Sequence, residues 1–454
     1  MRLSNFLTVL SIFTVSLGFS DTRSDHRLSE LPGWKEDELP SAQFTGYLDA
    51  DYGRYFFYWF VESEHDPAND PLIFWFSGGP GCSSLETLFN GNGPFLANDD
   101  GTLRKNEHSW TKFASIVYLN SPDAIGFSYA LNESNNIGPH PHFSDNGTAI
   151  GNYRAVQSFF KIHQNFSLNS LYLFAESYGG LFLTSLSEKL IDDENINLKG
   201  LGIANGVIDE DIDLISKLQF FYYHGFIDDS RISVVYEKCG KVEEIDDKTR
   251  FCYISQVYEM QQNLEHVNLY NVYDKCHENA NPTMRCLPAS NATVYLNLPD
   301  VQKAIGVSSK AITNWTVCEK SIYPVGVYER PFTAHMAPYY RLYYQQIRSA
   351  QPFLKKAIEK NIDVLLYYGD SDAICPFLTA QSVAEKIGQN RSTKRTWPSH
   401  DQIYGFITSF DHLHFATIIG GSHVVSNSRP AETTVLIEAF LNRTLNVDDK
   451  KEDE

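Results

Sequence analysis

The chain has 454 residues, 43% of them hydrophobic, enough for a large folded core and inconsistent with intrinsic disorder. Its net charge of -19 would be repelled by nucleic acid and by an anionic membrane surface, so neither is an expected partner. Beyond the N-terminal run, no stretch approaches 18 continuous apolar residues, and no transmembrane helix is expected.

In chain order, residues 1–20 come first. Met1-Arg2 carries positive charge, Leu7 to Phe19 is an apolar run broken only by small polar residues, and Gly18 and Ser20 are small residues suited to cleavage near Ser20–Asp21. This is the pattern of a cleaved signal peptide and implies the secretory pathway, ending in a lysosome or vacuole or outside the cell. Seven Asn-x-Ser/Thr acceptors fit that route: Asn132, Asn146, Asn165, Asn291, Asn314, Asn390 and Asn442.

Gln43–Leu48 and Tyr55–Val61 alternate and flank a turn-like segment at 49–53, which predicts an antiparallel hairpin. Short apolar runs follow at Leu72–Phe76, Ile116–Leu119, Leu171–Ala175, Leu201–Ala204, Val364–Tyr368 and Phe415–Ile419. Runs of this length suit strands buried on both faces of a parallel sheet. Helical spacing lies between some of them. Ile150, Tyr153, Val156, Phe159, Phe160 and His163 form one stripe, and Phe182, Leu186 and Leu190 another. Alternating strands and helices predict a doubly wound α/β sheet. The alternation stops between about Asp209 and Arg330, where four of the seven cysteines cluster. The expected organisation is a core over 21–208 and 331–446, an insertion over 209–330 capping the sheet's active edge, and an acidic tail over 447–454.

Chemistry concentrates at four strand ends. Leu171-Tyr-Leu-Phe-Ala-Glu-Ser177-Tyr-Gly-Gly180 runs a strand through a serine into a helix, the context of a nucleophile elbow. The turn demands small residues two before and two after Ser177. Here they are Ala175, in place of glycine, and Gly179. A serine hydroxyl needs a base and the base an orienter, in the order Ser, Asp, His for this architecture. Gly369-Asp370-Ser371-Asp372 supplies the acid and Gly420-Gly421-Ser422-His423 the base. The fourth strand end is Gly78-Gly79-Pro80-Gly81-Cys82-Ser83-Ser84, whose glycines let backbone N–H groups approach a developing oxyanion. It lacks the lysine of a phosphate loop. No Cys-x-x-Cys pair suggests zinc.

Together these segments resemble the serine carboxypeptidase family. The family's Gly-Gly-Pro-Gly-Cys-Ser-Ser stands at 78–84, its Gly-Glu-Ser-Tyr-Ala-Gly as Ala175–Gly180, its Gly-Asp-x-Asp at 369–372 and its Gly-His-Met as Ser422-His423-Val424. The resemblance implies an α/β-hydrolase fold, with a mostly parallel central sheet flanked by helices and a disulfide-stapled cap. It implies Ser177 as nucleophile, His423 as base and acid, and Asp372 rather than Asp370 as orienter. The N–H groups of Gly79 and Tyr178 would form the oxyanion hole. Trp75, Ser77, Gly78 and Glu176 would bind the substrate's free carboxylate, and Cys375 and Val424 would flank the leaving-group pocket. Implied disulfides are Cys82–Cys318, Cys239–Cys252 and Cys276–Cys286, leaving Cys375 as a free thiol sensitive to mercurials.

The implied activity is release of C-terminal amino acids from peptides through an acyl-enzyme, with an acidic optimum, since Glu176 can bind a carboxylate only if one partner carries a proton. No cofactor or metal is expected. Alternatives are an acyltransferase of the same family and a protective or binding protein with dispensable catalysis. Monomer and homodimer are both open. The family's usual Asn is Ser77 here, its second glutamate is absent from Asn90-Gly91-Asn92, and Val425-Ser426-Asn427 replaces a proline-containing run.

Overall fold

The computed structural model describes residues 26–131, 143–240, 246–277, 286–325, 341–398 and 402–445. The signal segment, the acidic tail and Asn132 lie outside them. The central sheet is built from β1 (Gln43–Asp49), β2 (Arg54–Val61), β3 (Leu72–Phe76), β4 (Ser115–Leu119), β5 (Leu171–Glu176), β6 (Leu198–Ala204), β7 (Asp363–Gly369), β8 (Arg395–Trp397), β9 (Gly405–Phe410) and β10 (Leu413–Ile418). Short strands at His26–Arg27 and Tyr129–Ala130 extend one end. The path runs β1-β2-β4-β3-β5-β6-β7-β10-β9-β8. Six strands from β4 to β10 pair in parallel, and antiparallel strands close both ends.

Alternate residues of each strand serve two cores. Phe74, Val117 and Leu173 face one, and Ile73, Ile116 and Phe174 the other. Burial on both faces is what made these strands read as continuous apolar runs. Strands β8 and β9 gave no such run. They hold Arg395, Thr396, Thr408 and Ser409, the composition of a sheet edge.

The principal helices are α1 (Leu85–Asn90), α2 (Asp145–Ile162), α3 (Gly179–Leu190), α4 (Glu210–Tyr223), α5 (Asp229–Cys239), α6 (Asp247–Asn263), α7 (Gln351–Glu359), α8 (Phe377–Ile387) and α9 (Pro430–Leu441). In α2 the expected stripe holds at Val156 and Phe159, which are fully buried. It fails at Ile150, which is exposed, and Ala149 and Ala155 take the core positions instead. Helices α4, α5 and α6 share a third core around Phe220, Val235, Tyr253 and Met260, which also receives Ala373 from the loop after β7. The disulfides are Cys82–Cys318, Cys239–Cys252 and Cys276–Cys286.

Candidate active site

The four chemical loops leave the C-terminal ends of β3, β5, β7 and β10, neighbours or near neighbours in the parallel sheet. That end is where open α/β sheets form their clefts. The register places Phe76 opposite Ala175 and Glu176 opposite Ala204, so the glycine-rich loop passes over the serine turn.

Ser177 sits at φ 57°, a left-handed conformation that non-glycine residues adopt only when their surroundings over-determine it. Here backbone bonds clamp the turn: Ser177 N–H donates to Ala204 O (3.1 Å), and Val207 N–H donates to Ser177 O (2.9 Å). The small-residue rule has a direct cause. A Cβ on Gly179 would lie 2.7 Å from Phe76 O and 3.0 Å from Ala175 Cβ. Alanine at 175 is tolerated because 179 is glycine. Gly78 is equally constrained, since a Cβ there would lie 2.5 Å from Tyr178 N.

His423 Nδ1–H donates to Asp372 Oδ2 at 2.7 Å, and both residues are buried. Asp372 also accepts from Asn205 Nδ2 (2.8 Å), Ile374 N–H (2.8 Å) and Cys375 N–H (3.1 Å). Asp370 is elsewhere, capping the Gly420 N–H at 2.6 Å. Burial pushes the His423 pKa down, but the charge and hydrogen bond of Asp372, with help from Glu176, outweigh it and the net direction is up. Ser177 and His423 line one cavity of about 880 Å³. Among the described residues no hydrogen bond joins Ser177 Oγ to His423, a looseness common in sites without substrate.

Glu176 is buried beside them. Its Oε1 accepts from Ser77 Oγ (3.2 Å) and Thr87 Oγ1 (3.4 Å), and Trp75 Nε1 donates to Ser77 Oγ (3.4 Å). Burial, opposed by His423 and Ser77, raises the Glu176 pKa to about 6. Trp75 does not line the cavity; it stands behind Ser77, edge-on to Trp110. Thr87 was missed from sequence, although it lies one helical turn past Ser84 on α1.

The missing second glutamate has a steric explanation. A Cβ at Gly91 would lie 2.8 Å from Ser426 Oγ and 2.9 Å from Thr87 Cγ2. Asn427 Nδ2 donates to Asn90 O at 2.8 Å. The unusual residues after His423 therefore occupy the space that the glycine leaves.

Gly79 and Tyr178 flank the nucleophile, and among the described residues neither N–H has an intramolecular acceptor. Tyr270, brought in before the Cys276–Cys286 staple, accepts His423 N–H on its carbonyl (2.8 Å) and packs its ring edge-on at 5.2 Å. No local pattern marked it.

Val424 lines the cavity, but Cys375 does not. Its thiol is buried and its pKa is pushed well up, first by burial and then by Asp213 and Asp372. The expected position of Cys375 in the lining of the leaving-group pocket is not what the structure shows: the free thiol is buried beside Asp372, whose Oδ2 accepts the Cys375 N–H. Asp372, Cys375 and His423 bring ligand atoms within 4.8 Å of one another. Cys375 disfavours the thiolate that a metal would need, and Asp372 is committed to four donors, so the three make a poor metal site.

A serine carboxypeptidase profile matches residues 32–443. The chain belongs to the serine carboxypeptidase family. It is a hydrolase of that type. The mouse lysosomal protective protein is 30% identical, over 91% of this chain and 93% of its own length. A serine carboxypeptidase of Caenorhabditis elegans is 26% identical, covering 96% of this chain and 97% of its own. Among solved structures, the prohormone-processing carboxypeptidase of Saccharomyces cerevisiae superimposes with a TM-score of 0.72 at 18% identity, covering 93% of this chain and 97% of its own. This last likeness bears on the fold, an α/β-hydrolase.

Proposed function

We propose that this protein releases C-terminal amino acids from peptides at acidic pH through an acyl-enzyme on Ser177. The observation that carries the reading is His423, hydrogen-bonded from behind by the buried Asp372, lining one cavity with Ser177 and the protonatable Glu176. His423 Nδ1 is committed to Asp372, so Nε2 takes the Ser177 proton as Oγ attacks the last peptide carbonyl. The oxyanion faces the N–H groups of Gly79 and Tyr178. Collapse breaks the C–N bond, and His423 returns the proton to the departing amine. Water then repeats the sequence and frees the shortened peptide.

Restriction to chain ends follows from Glu176. Protonated, it donates to the substrate carboxylate, with Ser77 and Thr87 holding its other oxygen. Once protonated, it also no longer favours the charged imidazole, so His423 stays available as a base. The lysosomal name of the mouse relative and the signal segment support an acidic compartment of the secretory pathway.

The test is fluorophosphonate labelling with mapping of the modified residue, alongside hydrolysis of N-blocked dipeptides. Label on Ser177 and release of the free C-terminal amino acid are expected. Ser177→Ala should lower kcat by about 10⁴-fold or more. Label elsewhere overturns the assignment, and labelling without release at any pH from about 4 to 8 favours acyl transfer to another acceptor.

A further inference from the structure

We propose that Asp145 is a positioning residue for the oxyanion hole, holding the Tyr178 amide in place through the Tyr178 phenol. This rests on the reading of Tyr178 N–H as an oxyanion donor. Tyr178 presents its amide beside the nucleophile, while its side chain runs into the interior. There the phenol donates to Asp145 Oδ1 at 2.8 Å. The ring packs edge-on against Phe182 (5.3 Å) and Tyr343 (5.8 Å).

Asp145 is fully buried at the first position of α2. Its four recorded donors are Tyr178 OH, Tyr343 OH (3.1 Å) and the backbone N–H groups of Gln346 (2.6 Å) and Ile347 (2.8 Å). Tyr343 OH is fixed in turn by Thr148 Oγ1 at 3.0 Å. A buried carboxylate is costly unless its oxygens are satisfied, and here satisfying them ties three segments to one point: the start of α2, the segment 343–347, and the serine turn.

The location gives the anchor its effect. Ser177 is held in a left-handed conformation, and Tyr178 is the next residue. Rotation of the 177–178 peptide would relieve the backbone and swing the N–H away from the oxyanion. A phenol locked to a buried carboxylate resists that rotation. Oxyanion stabilisation depends on donors held within tenths of an ångström of their place, so slack at Tyr178 appears in the transition state and not in substrate binding.

The experiment compares Tyr178→Phe, Asp145→Ala and the double variant with the wild-type protein. Active sites are counted by fluorophosphonate titration, so that misfolded material is excluded. Tyr178→Phe keeps the ring and its packing and loses only the hydroxyl. Expected is a fall in kcat per titrated site of about 10- to 100-fold, with KM within about twofold. A peptide aldehyde, which forms a tetrahedral adduct on Ser177, should weaken by the same factor. Asp145→Ala also loses the bonds to Tyr343, Gln346 and Ile347, so the double variant should be no slower than Asp145→Ala, because the Tyr178 phenol has nothing left to lose once the carboxylate is gone. A structural role alone would lower Tm and the number of titrated sites and leave turnover per site unchanged. That result, or undiminished aldehyde affinity in Tyr178→Phe, overturns the inference. If Asp145→Ala does not fold, Tyr178→Phe decides it. Failure of the wild-type protein to form the aldehyde adduct removes the oxyanion-hole reading and this inference with it.

Discussion

On the proposed reading of the site, Glu176 sets its pH window. Its pKa is raised to about 6 from the ordinary glutamate value of 4.5, chiefly because burial penalises the charged form. Below pH 6 the group carries a proton and donates; above it, two carboxylates face each other as acceptors and repel. The sign is therefore a loss of peptide binding as pH rises. From pH 5 to 7.5 the protonated fraction falls roughly 30-fold, and peptide kcat/KM should follow, mostly through KM. In Glu176→Gln the donor persists at every pH, so the alkaline fall should flatten. An unchanged pH profile in that variant would remove Glu176 from carboxylate recognition. Nothing local in the sequence marked Thr87, the other hydroxyl on the Glu176 oxygen, because its relevance depends on α1 lying across the end of β5.

At the scale of elements, the Cys82–Cys318 bridge joins the glycine-rich loop to a segment 236 residues away. Close by, Ser83 N–H donates to Val317 O and Glu319 N–H donates to Gly81 O. The loop that presents Gly79 is thus held from the far side by the chain entering Ile322. In the chain-entropy picture, closing a loop of this length stabilises by about 5 kcal/mol. Replacing both cysteines by alanine should lower the denaturant midpoint accordingly and reduce kcat through a loosened Gly79, whereas removing Cys239–Cys252 should affect stability less and catalysis little. Equal catalytic losses from the two removals would argue against a positioning role for the long bridge. The pairing was legible only through resemblance, since three bridges among seven cysteines leave many combinations.

At the scale of the molecule, exposure sorts the six Asn-x-Ser/Thr acceptors that lie among the described residues. Asn146, Asn165, Asn314, Asn390 and Asn442 are exposed. Asn291 is half-buried, and its Nδ2 donates to Ala97 O at 3.1 Å. Expression through a secretory route followed by enzymatic deglycosylation should leave a mass shift at the exposed asparagines and none at Asn291. Modification of Asn291 would mean that glycan addition precedes folding of α1 and its neighbours.

By itself the sequence marked the hairpin and the six strands buried on both faces, and pointed to an elbow serine followed by an acid and a base; the edge strands β8 and β9 it did not mark. The marked features are local properties: a strand buried on both faces must be apolar throughout, and a sharp strand-to-helix turn must be lined by small residues. It also carried the family. The tertiary structure alone decided what long-range packing controls. His423 pairs with Asp372 while Asp370 caps Gly420, a choice that the loop's own residues left open and only the family resemblance had pointed to. Cys375 turns into the interior, Gly91 is filled by Ser426, and Tyr270 arrives from the insertion. The Ser177 turn, unconvincing as a motif with Ala175 in its first small position, becomes a strained residue clamped by Ala204 and Val207 and backed by the Asp145 anchor. Each of these contacts joins residues far apart in the chain, and only the folded sheet brings their side chains within bonding distance.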